Sequence, residues 1–307
     1  MRALLILAVS LALGGCGGAP KQEAREPTEL ELLQRSARLA FSRGEYAQAA
    51  TLYEAALDKA LVADRPEPII DARFNLALSH SYLGRYGEAL DLLALAEAER
   101  VRRELGPDPE LRLLRATVHY RAGDAAAAKR VLDSLLDDPA TPRPTIDAAR
   151  FLAGLMAADR GDVSALRRYR DALPSGDTGR EQADRLELDG RLAALSGDSR
   201  QALSRLDEAA RLRSLDEDYR GMARALAAAA SVAERAGRTG LAAAYWLRAG
   251  RSGVQRADPD ARGWLERALA LGRRSRDAAL VLEAKAMLAK LDTADAEPSA
   301  PGTARPR

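Results

Sequence analysis

Side chains suited to covalent chemistry or metal binding are few in this sequence of 307 residues. Cys16 is the only thiol, and His80 and His119 are the only histidines. A thiolate is a strong nucleophile and could form a thioether, whereas a lone cysteine cannot form an intramolecular disulfide. Two histidines would bind a metal ion only if further ligands completed the site.

Sequence patterns typical of catalysis are absent. No Ser stands three residues before any lysine, no Gly-x-Ser-x-Gly occurs, and no glycine-rich loop with a lysine could cradle phosphate. The abundant Asp and Glu side chains are typical of solvated helix faces. We therefore expect no catalytic residue, no cofactor and no metal ion, and an enzyme with a cryptic site is a remote alternative.

The N-terminus has the pattern of an export signal. A charged start precedes an apolar run over residues 3–13, which has the length of a signal-peptide core and is too short to span a bilayer as a helix. The run ends in the motif Leu-Gly-Gly-Cys16, which resembles the lipobox of bacterial lipoproteins. An uncleaved hydrophobic anchor with an incidental cysteine is the alternative.

The lipobox resemblance implies a signal peptide over residues 1–15 and a lipidated flexible tether over 16–27. Cys16 would carry diacylglycerol on its thiol and an acyl chain such as palmitate on its amine. Each buried methylene contributes about 0.8 kcal/mol, so two or three chains hold a protein on a membrane. Residue 17 is Gly and not the Asp of inner-membrane lipoproteins, which favours the outer membrane of a Gram-negative bacterium, facing the periplasm.

The composition favours a helical protein. Hydrophobic residues make up 47% of the chain but aromatic residues only 4%, so the apolar share consists mainly of Ala and Leu, which are strong helix formers. The 47 basic and 45 acidic residues nearly balance. Such a balance lacks the one-sided positive charge that phosphate-backbone binding requires, so no nucleic-acid partner is expected.

Internal repeats give the main information on the fold. Glycines at 44, 84, 123, 161, 197 and 237 each lie between two helical stretches, and all but Gly161 precede an Ala by five positions. Gly at such a point supplies the positive φ that ends one helix before the next begins. The sequence therefore predicts a series of helical hairpins, each about forty residues long.

The small residues of each hairpin resemble the tetratricopeptide repeat, which has small side chains at places eight, twenty and twenty-seven. Ala37, Ala49, Tyr53 and Ala56 fill places eight, twenty, twenty-four and twenty-seven of the first hairpin. The fourth hairpin is degenerate, with Gly154 at place eight. The resemblance implies an all-α fold, a right-handed α-α superhelix of about six to seven hairpins over residues 28–291.

Three details depart from the family pattern. The period exceeds the family's 34 residues, and we place the surplus in longer second helices or in the proline-bearing segments 61–68 and 106–109. A last hairpin over 262–291 lacks the turn glycine and has residues 274–276 there, as an atypical cap would. Residues 292–307, rich in Pro, Ala and Gly, are predicted to be disordered.

The resemblance also implies a groove for peptides or helices, since the first helices of successive repeats line the concave face. All three phenylalanines of the chain are among the residues predicted to line this groove, which suggests an amphipathic binding channel. These rings could instead pack between neighbouring repeats. Asn75 stands where the family often has a backbone-clamping Asn, but no lysine-rich carboxylate clamp accompanies it. The groove set comprises Gln34, Arg38, Phe41, Phe74, Asn75, Leu78, Tyr82, Leu113, Thr117, Tyr120 and Phe151.

His80 and His119 occupy the same place of neighbouring hairpins, so a shared metal site has to be weighed against packing. That place normally holds a residue packed between the two helices, and no Cys or spaced set of carboxylates completes a site. We predict that both histidines serve packing.

The combination of a lipid anchor and a solenoid predicts a scaffold or adaptor that binds other envelope proteins, in the assembly of an outer-membrane, pilus or secretion complex. An adaptor or activator of peptidoglycan synthases or hydrolases is the alternative. The partner's identity does not follow from the sequence, because one repeat scaffold serves many partners.

Overall fold

The computed structural model describes residues 28–176 and 178–296, and this part of the chain contains fourteen α-helices and no strand. Each helix packs against its neighbours along the chain, so that α1 to α14 form seven successive hairpins. The helices are α1 (Glu29–Ser42), α2 (Tyr46–Val62), α3 (Pro66–Tyr82), α4 (Tyr86–Arg102), α5 (Pro109–Arg121), α6 (Ala125–Leu136), α7 (Arg143–Asp159), α8 (Val163–Asp171), α9 (Gly179–Leu195), α10 (Ser199–Leu215), α11 (Tyr219–Arg235), α12 (Thr239–Val254), α13 (Ala261–Ser275) and α14 (Ala278–Ala296).

The core of each hairpin lies at the places that the repeat pattern predicts. Ala37, Ala49 and Ala56 are fully buried between α1 and α2, and Tyr53 is nearly so. Small side chains at these places let two helices approach closely, and the large side chain at place twenty-four fills the space beside them. The corresponding residues of the later hairpins are buried as well: Ala77, Ala89, Leu93, Ala96, Ala116, Ala128, Leu132, Ala202, Leu206, Ala209, Ala230, Ala242, Trp246 and Ala249.

The six turn glycines adopt the predicted left-handed conformation, with φ between 70° at Gly237 and 84° at Gly197. In three hairpins the next residue is an Asp that caps the second helix. The Oδ1 atom of Asp198, for example, accepts a hydrogen bond from the backbone N–H of Gln201 at 2.9 Å. Glycine and aspartate together therefore end one helix and begin the next within two residues.

The surplus over the family period lies in the helices. Seven of the described helices, α2 among them, are 17 residues long, and residues 61–68 are mostly helical, with only 63–65 between α2 and α3. Of the two predicted locations for the surplus in this segment, longer helix and loop, the structure has the longer helix, because Pro66 is tolerated in the first turn of α3. Residues 103–108 do connect α4 to α5 as a longer link.

The last hairpin has the predicted atypical turn. Arg276 takes the place of the glycine and is left-handed, with φ 59°. Helix α14 continues to Ala296, beyond the boundary predicted at residue 291, because residues 292–296 contain no Pro or Gly to end it. The predicted signal peptide, Cys16, the predicted tether 16–27 and the residues after 296 lie outside the described residues.

The superhelix closes on itself. The turns at Gly44 and Gly84 lie against the segment between α12 and α13, so that a Cβ added at Gly84 would be 3.2 Å from the Cβ of Pro259. Arg220, at the start of α11, donates a hydrogen bond to the backbone oxygen of Tyr82 at 3.3 Å. The first two hairpins thus contact the sixth, and the concave face becomes the wall of an enclosed groove. Among the described helices, none combines the length and apolar character needed to cross a bilayer.

Candidate functional site: a basic central groove

The described residues enclose a central groove, a cavity of about 1090 Å³. Its walls come mainly from the first helices α5, α7, α9, α11 and α13. Seven arginines and three aspartates line it, so its charge is positive although the whole chain is nearly neutral. The charged lining consists of Arg121, Arg160, Arg180, Arg191, Arg220, Arg224, Arg235, Asp159, Asp258 and Asp260.

Four of the eleven residues predicted for the groove line it: Leu113, Thr117, Tyr120 and Phe151. Tyr82 lies at one end, where α3 meets α11. The remaining six belong to α1 and α3, whose ends close the superhelix, so they do not line the central cavity. These six are Gln34, Arg38, Phe41, Phe74, Asn75 and Leu78.

The phenylalanines divide between packing and the groove. Phe41 makes edge contacts with the rings of Tyr46 and Tyr82, at centroid distances of 5.1 and 5.2 Å. Phe74 packs against the apolar core of the second hairpin. Phe151 lines the groove. Two of the three phenylalanine rings thus pack against neighbouring residues, and only Phe151 lines the groove as predicted.

The side chain of Asn75 forms a hydrogen bond within its own helix. Its Nδ2 atom donates a hydrogen bond to the backbone oxygen of Asp71, one turn earlier, at 2.8 Å. In this arrangement the amide is not aimed at a peptide backbone in the groove.

The arginines of the groove were missed, although the repeat pattern could have found several. Counting places from Gly190 and Ala230, as was done from Ala116 and Gly154, puts Arg191 at place nine of α9 and Arg224 at place two of α11. Place nine lines the groove in both α5 and α7, and place two does so in α7; both arginines line it as well. The predicted groove set ends at Phe151 in the fourth hairpin, which is degenerate.

A buried carboxylate organises the wall between α9 and α11. The side chain of Glu187 is fully buried and accepts hydrogen bonds from Nε of Arg224 at 2.8 Å and from Nη2 of Arg213 at 2.9 Å. Arg213, at the end of α10, also binds Asp184 at 2.6 Å and Asp218 at 2.7 Å. Phe151 lies under both guanidinium groups, each 5.2 Å from the ring centroid.

The charges of this network fix its protonation. Burial alone would raise the pKa of the Glu187 carboxyl, but the guanidinium groups of Arg224 and Arg213 outweigh it and hold that pKa well below its usual range. Burial likewise opposes the charge of Arg224, whose pKa is nevertheless raised by Glu187. Because each buried charge has a partner, the network positions Arg224 in the groove wall.

The other end of the groove is the junction where α3, α5 and α11 meet. The guanidinium carbon of Arg121 lies 4.8 Å from the centroid of the Tyr82 ring, and that of Arg220 lies 4.7 Å from the same centroid. Arg121 donates a hydrogen bond to Oγ of Ser81 at 2.8 Å. Burial, and next the charge of Arg220, lower the pKa of Arg121 to about 10, so Arg121 is charged at neutral pH.

No family model matches the chain, and no curated protein is significantly similar to it in sequence. Solved structures do resemble it. NprR in complex with its cognate peptide NprX is 15% identical, with a TM-score of 0.60 over 91% of this chain and 85% of that one. The apo form of the quorum sensor NprR from B. thuringiensis is 13% identical, with a TM-score of 0.51 over 87% and 82% of the two chains.

A tetratricopeptide repeat protein from Parabacteroides merdae is 15% identical, with a TM-score of 0.47 over 85% of this chain and 98% of that one. Seven successive hairpins, five of them with buried small residues at the predicted places, decide the fold. The chain folds as a tetratricopeptide-like superhelix. At such identities the similarity concerns the fold alone.

The two histidines of the tetratricopeptide-like superhelix lie on separate helices, each beside a carboxylate of the following turn. Nδ1 of His80 is 3.2 Å from Oε2 of Glu88, and Nδ1 of His119 is 3.7 Å from Oδ2 of Asp124. Burial lowers the pKa of His80, which favours its neutral form at pH 7. In the described part of the chain, no group of three or more His, Cys, Asp or Glu side chains is arranged to hold a metal ion.

Proposed function

We propose that this protein is a lipid-anchored scaffold of the bacterial envelope, which binds a segment of another envelope protein in its central groove. The observation that carries the proposal is the groove itself, about 1090 Å³ and lined by successive first helices. This volume is at the upper end of the range for small-molecule pockets, so a peptide segment suits it better than a metabolite.

Binding without catalysis fits the groups that line the groove. Asp159 is held by Arg191 at 3.1 Å and by the hydroxyl of Tyr120 at 2.6 Å, and Asp258 and Asp260 face Arg220. A general base must be able to accept a substrate proton, and these carboxylates instead interact with arginines of the groove. NprR, which shares the fold, has been solved in complex with its cognate peptide, and this supports a peptide as occupant.

Site-specific crosslinking in cells tests the groove. A photo-reactive amino acid replaces Thr117, which lines the groove, and in a matched variant it replaces Arg130, which is exposed on α6 outside the groove. We expect an envelope protein to crosslink at position 117 and not at position 130. Equal crosslinking at both positions, or at neither, would contradict a groove-bound partner. Recovery of sacculus enzymes in place of assembly components would identify the alternative adaptor role.

The membrane anchor has a separate test, because it depends on Cys16 and the lipobox resemblance. Mass spectrometry of the exported protein should find acyl groups on residue 16, and Cys16→Ser should remove them and release the protein from the outer-membrane fraction. An unmodified Cys16 after export would refute the anchor while leaving the groove hypothesis intact.

A further inference from the structure

We propose that the segment held in the central groove is acidic, and that one of its Asp or Glu side chains binds between Arg121 and Arg220. This inference rests on the proposed scaffold function and adds the chemistry of the partner. It follows from how the closed superhelix distributes positive charge along the groove, and the matching occupant is an extended acidic segment of a protein.

The Arg121–Arg220 junction contains a positive charge, that of Arg121, for which the structure describes no carboxylate partner. Both guanidinium groups contact the one Tyr82 ring, and both line the groove. No described carboxylate forms an ion pair with Arg121, whose hydrogen bond goes to Ser81. Arg220 donates a hydrogen bond to the backbone oxygen of Tyr82 and faces Asp258, at 3.8 Å, and Asp260. Arg121 is therefore the guanidinium group of the junction that has no carboxylate partner among the described residues.

Like charges at short range in a half-buried site are unfavourable, because the surrounding protein screens them less than water does. A carboxylate placed between Arg121 and Arg220 would replace this repulsion by charge-assisted hydrogen bonds. Guanidinium groups suit that role since their planar donors match a carboxylate. The junction lies where the second and third hairpins meet the sixth, so a bound carboxylate would also connect opposite sides of the ring.

Three further arginines of the groove favour a run of acidic residues over a single terminal carboxylate. Arg160, Arg180 and Arg235 are exposed at its rim and form no ion pair with a described carboxylate. Arg180 stands at the start of α9, while Arg160 and Arg235 stand at the ends of α7 and α11. These ends are about 25 Å apart for helices of this length, which an extended segment of about seven residues spans.

Aromatic rings between the arginines supply apolar contacts for the same segment. Tyr86, Tyr120, Phe151 and Trp264 line the groove and are each only partly buried. An extended chain places successive side chains on opposite sides, so acidic residues alternating with apolar ones would meet arginines and rings in turn.

Binding of synthetic peptides to the purified mature protein in detergent tests the charge requirement. The probe is a short labelled peptide of Glu, Ala and Leu with both ends blocked, and the comparison peptide has Gln at every Glu position. Fluorescence anisotropy should give the Glu peptide an affinity about tenfold or more above that of the Gln peptide, and the difference should shrink at high salt. Equal affinities, or binding of neither peptide, would overturn the proposal.

Arg121→Gln locates the site, with Arg130→Gln as the matched control on exposed α6. We expect Arg121→Gln to weaken the Glu peptide about tenfold and to leave the Gln peptide unchanged, while Arg130→Gln changes neither. Circular dichroism checks that the helices persist, and Arg180→Gln at the rim provides a second variant with a smaller loss. An unchanged affinity in both groove variants would refute the assignment.

Two further binding measurements distinguish acidic side chains from a terminal carboxylate and from a small anion. A Gln peptide with a free C-terminal carboxylate should bind no better than its blocked form, because several spaced charges are required. Displacement of the Glu peptide by inorganic phosphate at constant ionic strength would instead indicate a small-anion site and overturn the proposal. If the peptides fail while crosslinking at position 117 still captures an envelope protein, the acidic partner is wrong and the scaffold function stands.

Discussion

The first two hairpins and the fifth hairpin have the same backbone fold but differ in the side chains at place eight and around the groove. In the first two, place eight is Ala37 or Ala77, and the residues around the predicted groove pack against neighbouring helices. In the fifth, place eight is Gly190, and Glu187 is buried among arginines in the groove wall. The hairpins that match the repeat pattern best thus contribute least to the central groove.

This difference shows what a repeat pattern reports. The pattern consists of residues packed between two helices of a hairpin, because these contacts recur in every unit. Groove residues face a partner or the opposite wall of the ring, and their types vary from unit to unit. Departures from the pattern therefore mark the positions with chemistry specific to this protein, and each of them can be tested.

Among the substitutions considered, Glu187→Gln should lower the stability of the protein most. The substitution leaves the buried Arg213 and the half-buried Arg224 without their shared carboxylate, and breaking a buried pair on one side costs about 3–5 kcal/mol of unfolding free energy. Urea unfolding followed by circular dichroism measures the loss. Glu208→Gln, in an exposed pair with Arg211, is the control and should hardly move the midpoint.

The contribution of Glu187 to stability should also depend on pH. Its pKa in the folded protein lies below the ordinary value of 4.5, so its contribution is fully present above about pH 4.5 and is lost as the pH falls further. The stability difference between the wild type and Glu187→Gln should therefore shrink in acid. A difference that is constant from neutral to acidic pH would show that packing, and not charge, explains the loss.

Most of the fold could be predicted from the sequence because hairpin packing is local. The turn glycines, the small residues at Ala49 and Ala202 and the atypical last turn all follow from spacing within one unit. The central groove could not be predicted to the same extent. Contacts such as Arg220 with Tyr82 join residues in the sixth and second hairpins, and only the curvature summed over all units brings them together.

Gly190→Ala tests the closer helix approach in the fifth hairpin and should have the second largest effect. A Cβ at this position would lie 2.7 Å from Cγ of Leu206 and 3.2 Å from the backbone oxygen of Ala202. The overlap costs about 1–3 kcal/mol and outweighs the better helix propensity of Ala, which contributes at most about 1 kcal/mol.

Gly87→Ala in the second hairpin is the matched control, because a Cβ there meets no atom within 4 Å. It should be neutral or slightly stabilising in thermal unfolding, whereas Gly190→Ala should lower the midpoint. If both variants behaved alike, the glycine at place eight of the fifth hairpin would have no packing role.

Arg276→Gly tests the turn of the seventh hairpin and should have the smallest effect, in the stabilising direction. Arg276 is exposed and left-handed, with φ 59°, a conformation that costs a non-glycine residue about 1–2 kcal/mol. Glycine removes this strain but makes the unfolded chain more flexible, so the net gain in unfolding free energy should be about 0.5–1 kcal/mol.

Gly237→Ala is the comparison variant at the corresponding turn of the sixth hairpin, where φ is 70° and the surrounding space is open. It should lose about 1 kcal/mol of unfolding free energy. Opposite shifts of the two unfolding midpoints would show that the turn requires only backbone conformation. A loss in Arg276→Gly would instead mean that the arginine side chain stabilises the cap.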